Sequence, residues 1–148
     1  MPNYAKVQRV THTPEQMFDL VADVERYPEF LPLCESLVIL SRREREGREL
    51  LIARMGVGYK SIKQSFTTQV MLNPADLAID VKYIDGPFHH LDNRWRFLEA
   101  AQNECDVHFD IDYSFKSRAL GMLMGSMFDT AFKKFTTAFK ERADTIYA

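Results

Sequence analysis

The spacing of apolar residues changes twice along the chain, and each change marks a change of element. Between Leu33 and Phe115 apolar positions recur at every second residue, the period of strands with one buried face. Leu51, Ala53, Met55 and Val57 share one such face. Ile62, Phe66, Val70 and Leu72 share the next, with Gln64 and Thr68 among them. Leu77, Ile79, Val81 and Tyr83 alternate in the same way, and so do Leu91, Asn93, Trp95 and Phe97. The cleanest alternation sets Cys105, Val107, Phe109, Ile111, Tyr113 and Phe115 against the polar file Asp106, His108, Asp110, Asp112 and Ser114. Short turns rich in Gly, Asn, Asp and Pro separate these runs, which predicts an antiparallel meander.

After Phe115 the period becomes helical. Leu120, Met124, Phe128, Ala131, Phe135, Phe139 and Ile146 trace one stripe, widened by Leu123, Met127 and Phe132. As a single helix from about residue 118 this stretch is about 40 Å long. Gly121 and Gly125 interrupt it, each at a cost of about 1 kcal/mol relative to alanine. They imply either a close approach of another chain segment or room for a ligand. At the other end, residues 4–11 read as a strand. Thr13, Pro14 and Gln16 then make a capped helix start, with Met17, Phe18, Leu20, Val21 and Val24 on an apolar face. Pro28 and Pro32 end that helix in a stiff turn or a single helical turn, leaving Phe30 and Leu31 in a loop.

The predicted fold is α+β: a curved antiparallel sheet of about seven strands wrapped round a long C-terminal helix, with one or two short helices after the first strand. At 148 residues the chain suits one domain, residues 1–148.

Composition narrows the function. The formal net charge is −2, which gives no global footprint for DNA. The arginines around residues 42–48 interleave with glutamates and read as a solvated turn. Two cysteines, Cys34 and Cys105, have no metal-motif spacing and fit a reducing, cytoplasmic setting. The N-terminal residues lack a signal-peptide core, and no window is apolar enough to span a membrane. The histidines are scattered or adjacent within a strand, no serine lies in a nucleophile elbow, and Asp106, Asp110 and Asp112 read as a solvated strand face. Catalytic and metal-ligating residues are therefore not expected. What stands out is an apolar interior with polar residues on inward faces, Gln64, Thr68 and Asn93. They predict either mutual pairing or a cavity for a ligand head group. The loops at residues 27–32 and 85–88 would form its rim.

The run from Leu20 to Cys34 (LVADVERYPEFLPLC), the Asp85-Gly86-Pro87-Phe88 turn, Trp95 before Phe97, and the closing Ala138-Phe139-Lys140-Glu141-Arg142-Ala143 resemble the coenzyme Q-binding protein family. This family has START-like, helix-grip domains, and its bacterial members are also called ribosome-association toxins. The likeness spans nearly the whole chain; Leu33 stands where many relatives carry tryptophan. It implies a non-enzymatic quinone chaperone that supports respiration by holding ubiquinone, or a similar polyprenyl lipid, between sheet and long helix. No other cofactor is implied. The alternatives are a toxin that binds the large ribosomal subunit and blocks subunit association, or an enzyme like the polyketide cyclases. The ligand-binding residues expected are Tyr27, Phe30, Leu31, Gln64, Phe66, Phe88, Asn93, Trp95, Met124, Gly125, Phe128 and Phe132. Phe30, Leu31 and Phe88, as loop residues, would also either allow transient docking at the inner membrane or fold inward as a lid.

Overall fold

One antiparallel sheet of seven strands, in the order β1-β7-β6-β5-β4-β3-β2, forms the body of the protein. The computed structural model describes residues 3–147; Met1, Pro2 and Ala148 of the expected domain lie outside the described residues. The strands are β1 (Asn3–Val10), β2 (Cys34–Arg45), β3 (Arg48–Tyr59), β4 (Ile62–Asn73), β5 (Ala78–Asp85), β6 (Phe88–Glu99) and β7 (Cys105–Phe115). Helix α1 (Pro14–Ala22) and a 3-10 helix (Val24–Glu29) follow β1, a short 3-10 turn (Pro74–Asp76) precedes β5, and α2 (Arg118–Ile146) closes the chain. The expected fold class and long helix are therefore present, together with the two short helices after β1. The 3-10 helix continues through Pro28 because that residue is second in the turn closed by the Phe30 amide on the Tyr27 carbonyl, a position where no N–H is needed.

Local chemistry explains the helix starts. The Thr13 hydroxyl accepts from the Gln16 amide at 3.1 Å, and the Gln16 side-chain oxygen accepts from the Thr13 amide at 2.9 Å, a reciprocal cap. Ser117 caps α2 through the Leu120 amide at 3.1 Å. The far end of α2 is tied to the corner between β1 and α1. His12 Nε2 lies 2.7 Å from an Asp144 carboxylate oxygen, and the Tyr147 hydroxyl donates to the Gln16 carbonyl at 3.0 Å. The hydrogen bond to His12, followed by that from Lys140, holds Asp144 below its ordinary carboxylate value.

The outward file on β7 is solvated as expected, with Arg9 of β1 pairing to Asp106 and Glu104. The inward file is core: Phe109, Ile111 and Tyr113 are buried under α2. Helix α2 rests on β7, β1 and α1. Over β2 to β4 its backbone stands off the sheet, with Phe128 reaching the Phe66 ring of β4 at 6.2 Å.

Gly121 and Gly125 answer to a ring rather than to a backbone or a ligand. A Cβ added at these positions would lie 3.7 Å and 4.0 Å from the nearest Phe115 ring carbons, which is ordinary contact. Gly125→Ala should therefore gain about 1 kcal/mol through helix propensity and a less entropic unfolded chain. The gain should appear as a melting temperature about 2–4 °C higher. A fall in melting temperature would show that the Phe115 ring cannot accept the methyl group.

Candidate functional site

A cavity of about 80 Å³ lies between α2 and the sheet. The two periods seen in the sequence meet there. From α2, the stripe residues Phe128, Ala131, Phe132, Phe135 and Phe139 form the roof. Alternate residues of the strands form the floor: Leu37 on β2, Ala53, Met55 and Val57 on β3, Phe66, Thr68 and Val70 on β4, Ile79 and Val81 on β5, Leu91, Asn93 and Trp95 on β6, and Ile111 on β7. Val24, Tyr27, Pro32 and Leu33 close one end.

Few polar groups face this space. The Asn93 side-chain oxygen accepts from Trp95 Nε1 at 3.0 Å, and its amide nitrogen donates to the Asp110 carbonyl at 2.9 Å. Asn93 therefore orients the indole and keeps both ends of its own amide engaged. The Tyr27 hydroxyl donates to the Val21 carbonyl, and burial holds its pKa well above the usual phenol value. The Thr68 hydroxyl has no hydrogen bond to another side chain or backbone group among the described residues.

A second space, a groove of about 290 Å³, runs outside the cavity between α2 and the turn joining β3 to β4. Leu123, Met127 and Lys134 line it on the helix, Tyr59 and Ile62 on the hairpin. Pro32, Leu33 and Ala131 line both spaces, so these residues are the partition between interior and surface. Leu33 holds a left-handed backbone, φ 67°, a conformation that costs a branched residue about 1–2 kcal/mol. Such strain is retained where the surrounding structure dictates the side chain's position.

Residues 10–140 match the family described as polyketide cyclase / dehydrase and lipid transport. The chain belongs to this family. It is similar to the ribosome association toxin RatA of Vibrio cholerae, 32% identical over 99% of both chains. It is also similar to the coenzyme Q-binding protein COQ10 homolog B, mitochondrial, of Xenopus laevis, 29% identical over 97% of this chain and 59% of that one. A START superfamily protein from Mycobacterium smegmatis has the same fold, with a TM-score of 0.80 at 20% identity over 97% of this chain and 98% of that one.

Within this family fold, the expected site residues divide. Tyr27, Phe66, Asn93, Trp95, Phe128 and Phe132 line the cavity. The others are placed elsewhere. Phe88 is not in a loop: β6 begins with it, because Gly86 at φ 143° completes the turn early. Its ring is fully buried against Phe66, Tyr83, Tyr113, Phe115 and Phe128. Leu31 is buried in the core. Phe30 folds inward, edge-on to Phe139 at 5.1 Å, with the Arg142 guanidinium over its ring at 5.1 Å. Phe30 and Leu31 therefore pack inward beside α2, Phe88 packs in a separate part of the core, and the three do not form an exposed membrane rim. Gln64 pairs with Val57 across the ladder but lines a polar notch with Glu35, Lys63 and Ser65, because β4 runs on past the end of the cavity. Met124 is fully buried outside the cavity, and Gly125 faces Phe115.

Leu33, Ala131, Phe135 and Phe139 are lining residues missing from the expected set. Phe135 and Phe139 carried a signal, since both lie on the helical stripe. Leu33 carried none in the periodicity, because its position follows from its left-handed backbone; only the resemblance drew attention to it.

Three ionisable groups on inward strand faces, Tyr83, Tyr113 and Cys105, lie off the cavity. Burial pushes Tyr113 up to about 12 and Cys105 up to about 11. A serine–histidine–aspartate chain does exist on the outer face of the sheet: Ser114 Oγ to His90 Nδ1 at 3.0 Å, and His90 Nε2 to Asp112 at 3.4 Å. His90 and Ser114 are paired residues in the β6–β7 ladder, whose amides serve the sheet rather than an oxyanion. No helix among the described residues is long and apolar enough to cross a membrane.

Proposed function

We propose that this protein is a carrier of a ubiquinone-like lipid, holding its ring in the cavity under α2 and so serving as a quinone chaperone for respiration. The observation that carries this reading is the cavity itself: an aromatic and aliphatic enclosure in which one hydroxyl, that of Thr68, is unengaged. Such a lining favours an apolar ring with a carbonyl acceptor, and the similarity to the coenzyme Q-binding relative supports a quinone. Proton-transfer chemistry of the cyclase type is less well supported, because the polar groups lining the cavity are an engaged amide, an engaged phenol and a hydroxyl.

At about 80 Å³ the cavity is smaller than the ~150 Å³ engineered cavity that admits benzene. Loading therefore requires widening. The partition formed by Pro32, Leu33 and Ala131 is the wall that opens, since on its other side α2 is fixed to β1, β7 and α1.

Trp95 is the only tryptophan and is 3% exposed. Titration with a short-chain ubiquinone should quench its emission saturably. Thr68→Val should weaken binding about fivefold, the loss of one hydrogen bond of ~1 kcal/mol, with the melting temperature unchanged. Unaltered Trp95 emission at saturating quinone would sink the proposal.

A second reading, association with a ribosomal subunit, is favoured by the name of the Vibrio cholerae relative. Co-sedimentation with isolated subunits tests it directly, and failure to co-migrate at physiological salt removes it.

A further inference from the structure

Of the residues expected to meet a membrane, Leu31 and Phe88 are buried and Phe30 is half-buried, yet another apolar surface is exposed. On the opening turns of α2, Met122 is 82% and Leu123 57% exposed; across the groove, Tyr59 at the β3–β4 turn is 45% exposed. Leu123 and Tyr59 stand on opposite sides of one groove, and Met122 adjoins Leu123 on α2. This end is also basic, although the chain as a whole carries −2. Lys60 stands over the Tyr59 ring at 5.3 Å. Arg118 lies one turn before Met122 on α2, and Lys134 lines the groove. None of these three cations makes an ion pair among the described residues, whereas the carboxylates nearby are spent: Glu35 on Lys63 and Asp129 on Lys133, at 2.9 Å and 3.0 Å.

We infer that this end of the protein docks on an anionic lipid bilayer, with Tyr59, Met122 and Leu123 in the headgroup boundary and Lys60, Arg118 and Lys134 among the lipid phosphates. The charge pattern selects this occupant. Apolar tips fringed by unpaired cations match an anionic interface, where each basic residue adds attraction and each apolar one adds burial. Docking here would also set the outer groove, and behind it the partition of Leu33 and Ala131, against the membrane. The inference takes its purpose from the lipid-carrier reading, but its test does not depend on a ligand.

Flotation with phosphatidylcholine vesicles, with and without phosphatidylglycerol, supplies the test. The wild type should float with the anionic vesicles and lose binding as salt rises. Met122→Asp/Leu123→Asp, at exposed sites that leave the fold intact, should lower partitioning at least about tenfold. Lys60→Gln should lower it about fivefold. Val38→Asp/Leu40→Asp, at exposed positions on the edge strand β2, should leave it unchanged. Equal flotation on neutral and anionic vesicles, no flotation at all, or full binding by Met122→Asp/Leu123→Asp overturns the inference. So does a wild-type dimer that the same double substitution dissolves, because the surface then belongs to a second copy. Quinone quenching of Trp95 is measured on each variant. Lost quenching with normal flotation removes the ligand reading alone, and the converse removes the docking surface alone.

Discussion

Phe139→Ala should destabilise the fold by about 3–5 kcal/mol. Its ring is 1% exposed and stands edge-on to Tyr27 at 5.3 Å, Phe30 at 5.1 Å and Trp95 at 5.1 Å. Those partners come from the 3-10 helix, the loop after it and β6, so this one side chain joins α2 to all three. Truncation removes the transfer energy of a whole ring, and it adds a void that merges with the existing cavity instead of collapsing. Phe139→Leu should retain more than half of the lost stability. Urea unfolding followed by Trp95 emission gives both values. A loss under about 1 kcal/mol for the alanine variant would mean that the corner repacks freely.

Ala131→Leu should abolish most quinone binding while leaving the protein folded. Ala131 is buried and lines both the cavity and the outer groove. A leucine there grows into internal space that already exists, so the gain from filling it offsets overpacking of about 1–3 kcal/mol. Helix propensity changes little. The same side chain stands where a ring would pass or lodge, and affinity should fall at least about tenfold. Trp95 titration and thermal melting of one sample separate the two effects. Unchanged affinity would move the route away from the partition of Pro32, Leu33 and Ala131.

Much of this was legible from periodicity. The α2 stripe named the roof residues, and the strand alternation placed Phe66, Asn93 and Trp95 on inward faces. Each of those readings needs only the direction of a side chain from its own element. The errors arose where direction alone does not decide. Phe30 reads as a loop residue, but Arg142, more than a hundred positions later, covers its ring and turns it inward. Phe88 is assigned to a turn by its Gly-Pro neighbours, yet the turn closes one residue sooner and the ring enters the core. Gln64 has the correct parity, but parity does not tell how far along a strand the cavity extends. Leu33 is invisible to periodicity, since its contribution follows from a backbone conformation that leucine rarely adopts. Exposure of Met122 and Leu123 was hidden for the opposite reason. Both are apolar beside the stripe, and only the observed rotation of α2 leaves them outside.

The order of the strands has a consequence for how the protein is made. β1 pairs only with β7, so Asn3 meets Asp112 and Val10 meets Cys105. The remaining strands are joined to their sequence neighbours and are able to pair as they leave the ribosome. The first strand must wait for the last, and α2 follows all seven. During synthesis the meander therefore presents much of its apolar face uncovered until the final helix emerges, and its growing edge stays unpaired until β7 meets β1. Exposed sheet edges and uncovered apolar faces are what aggregation and chaperones act on. The yield of native protein should depend on how quickly that helix is released, more than on any property of the sheet that precedes it.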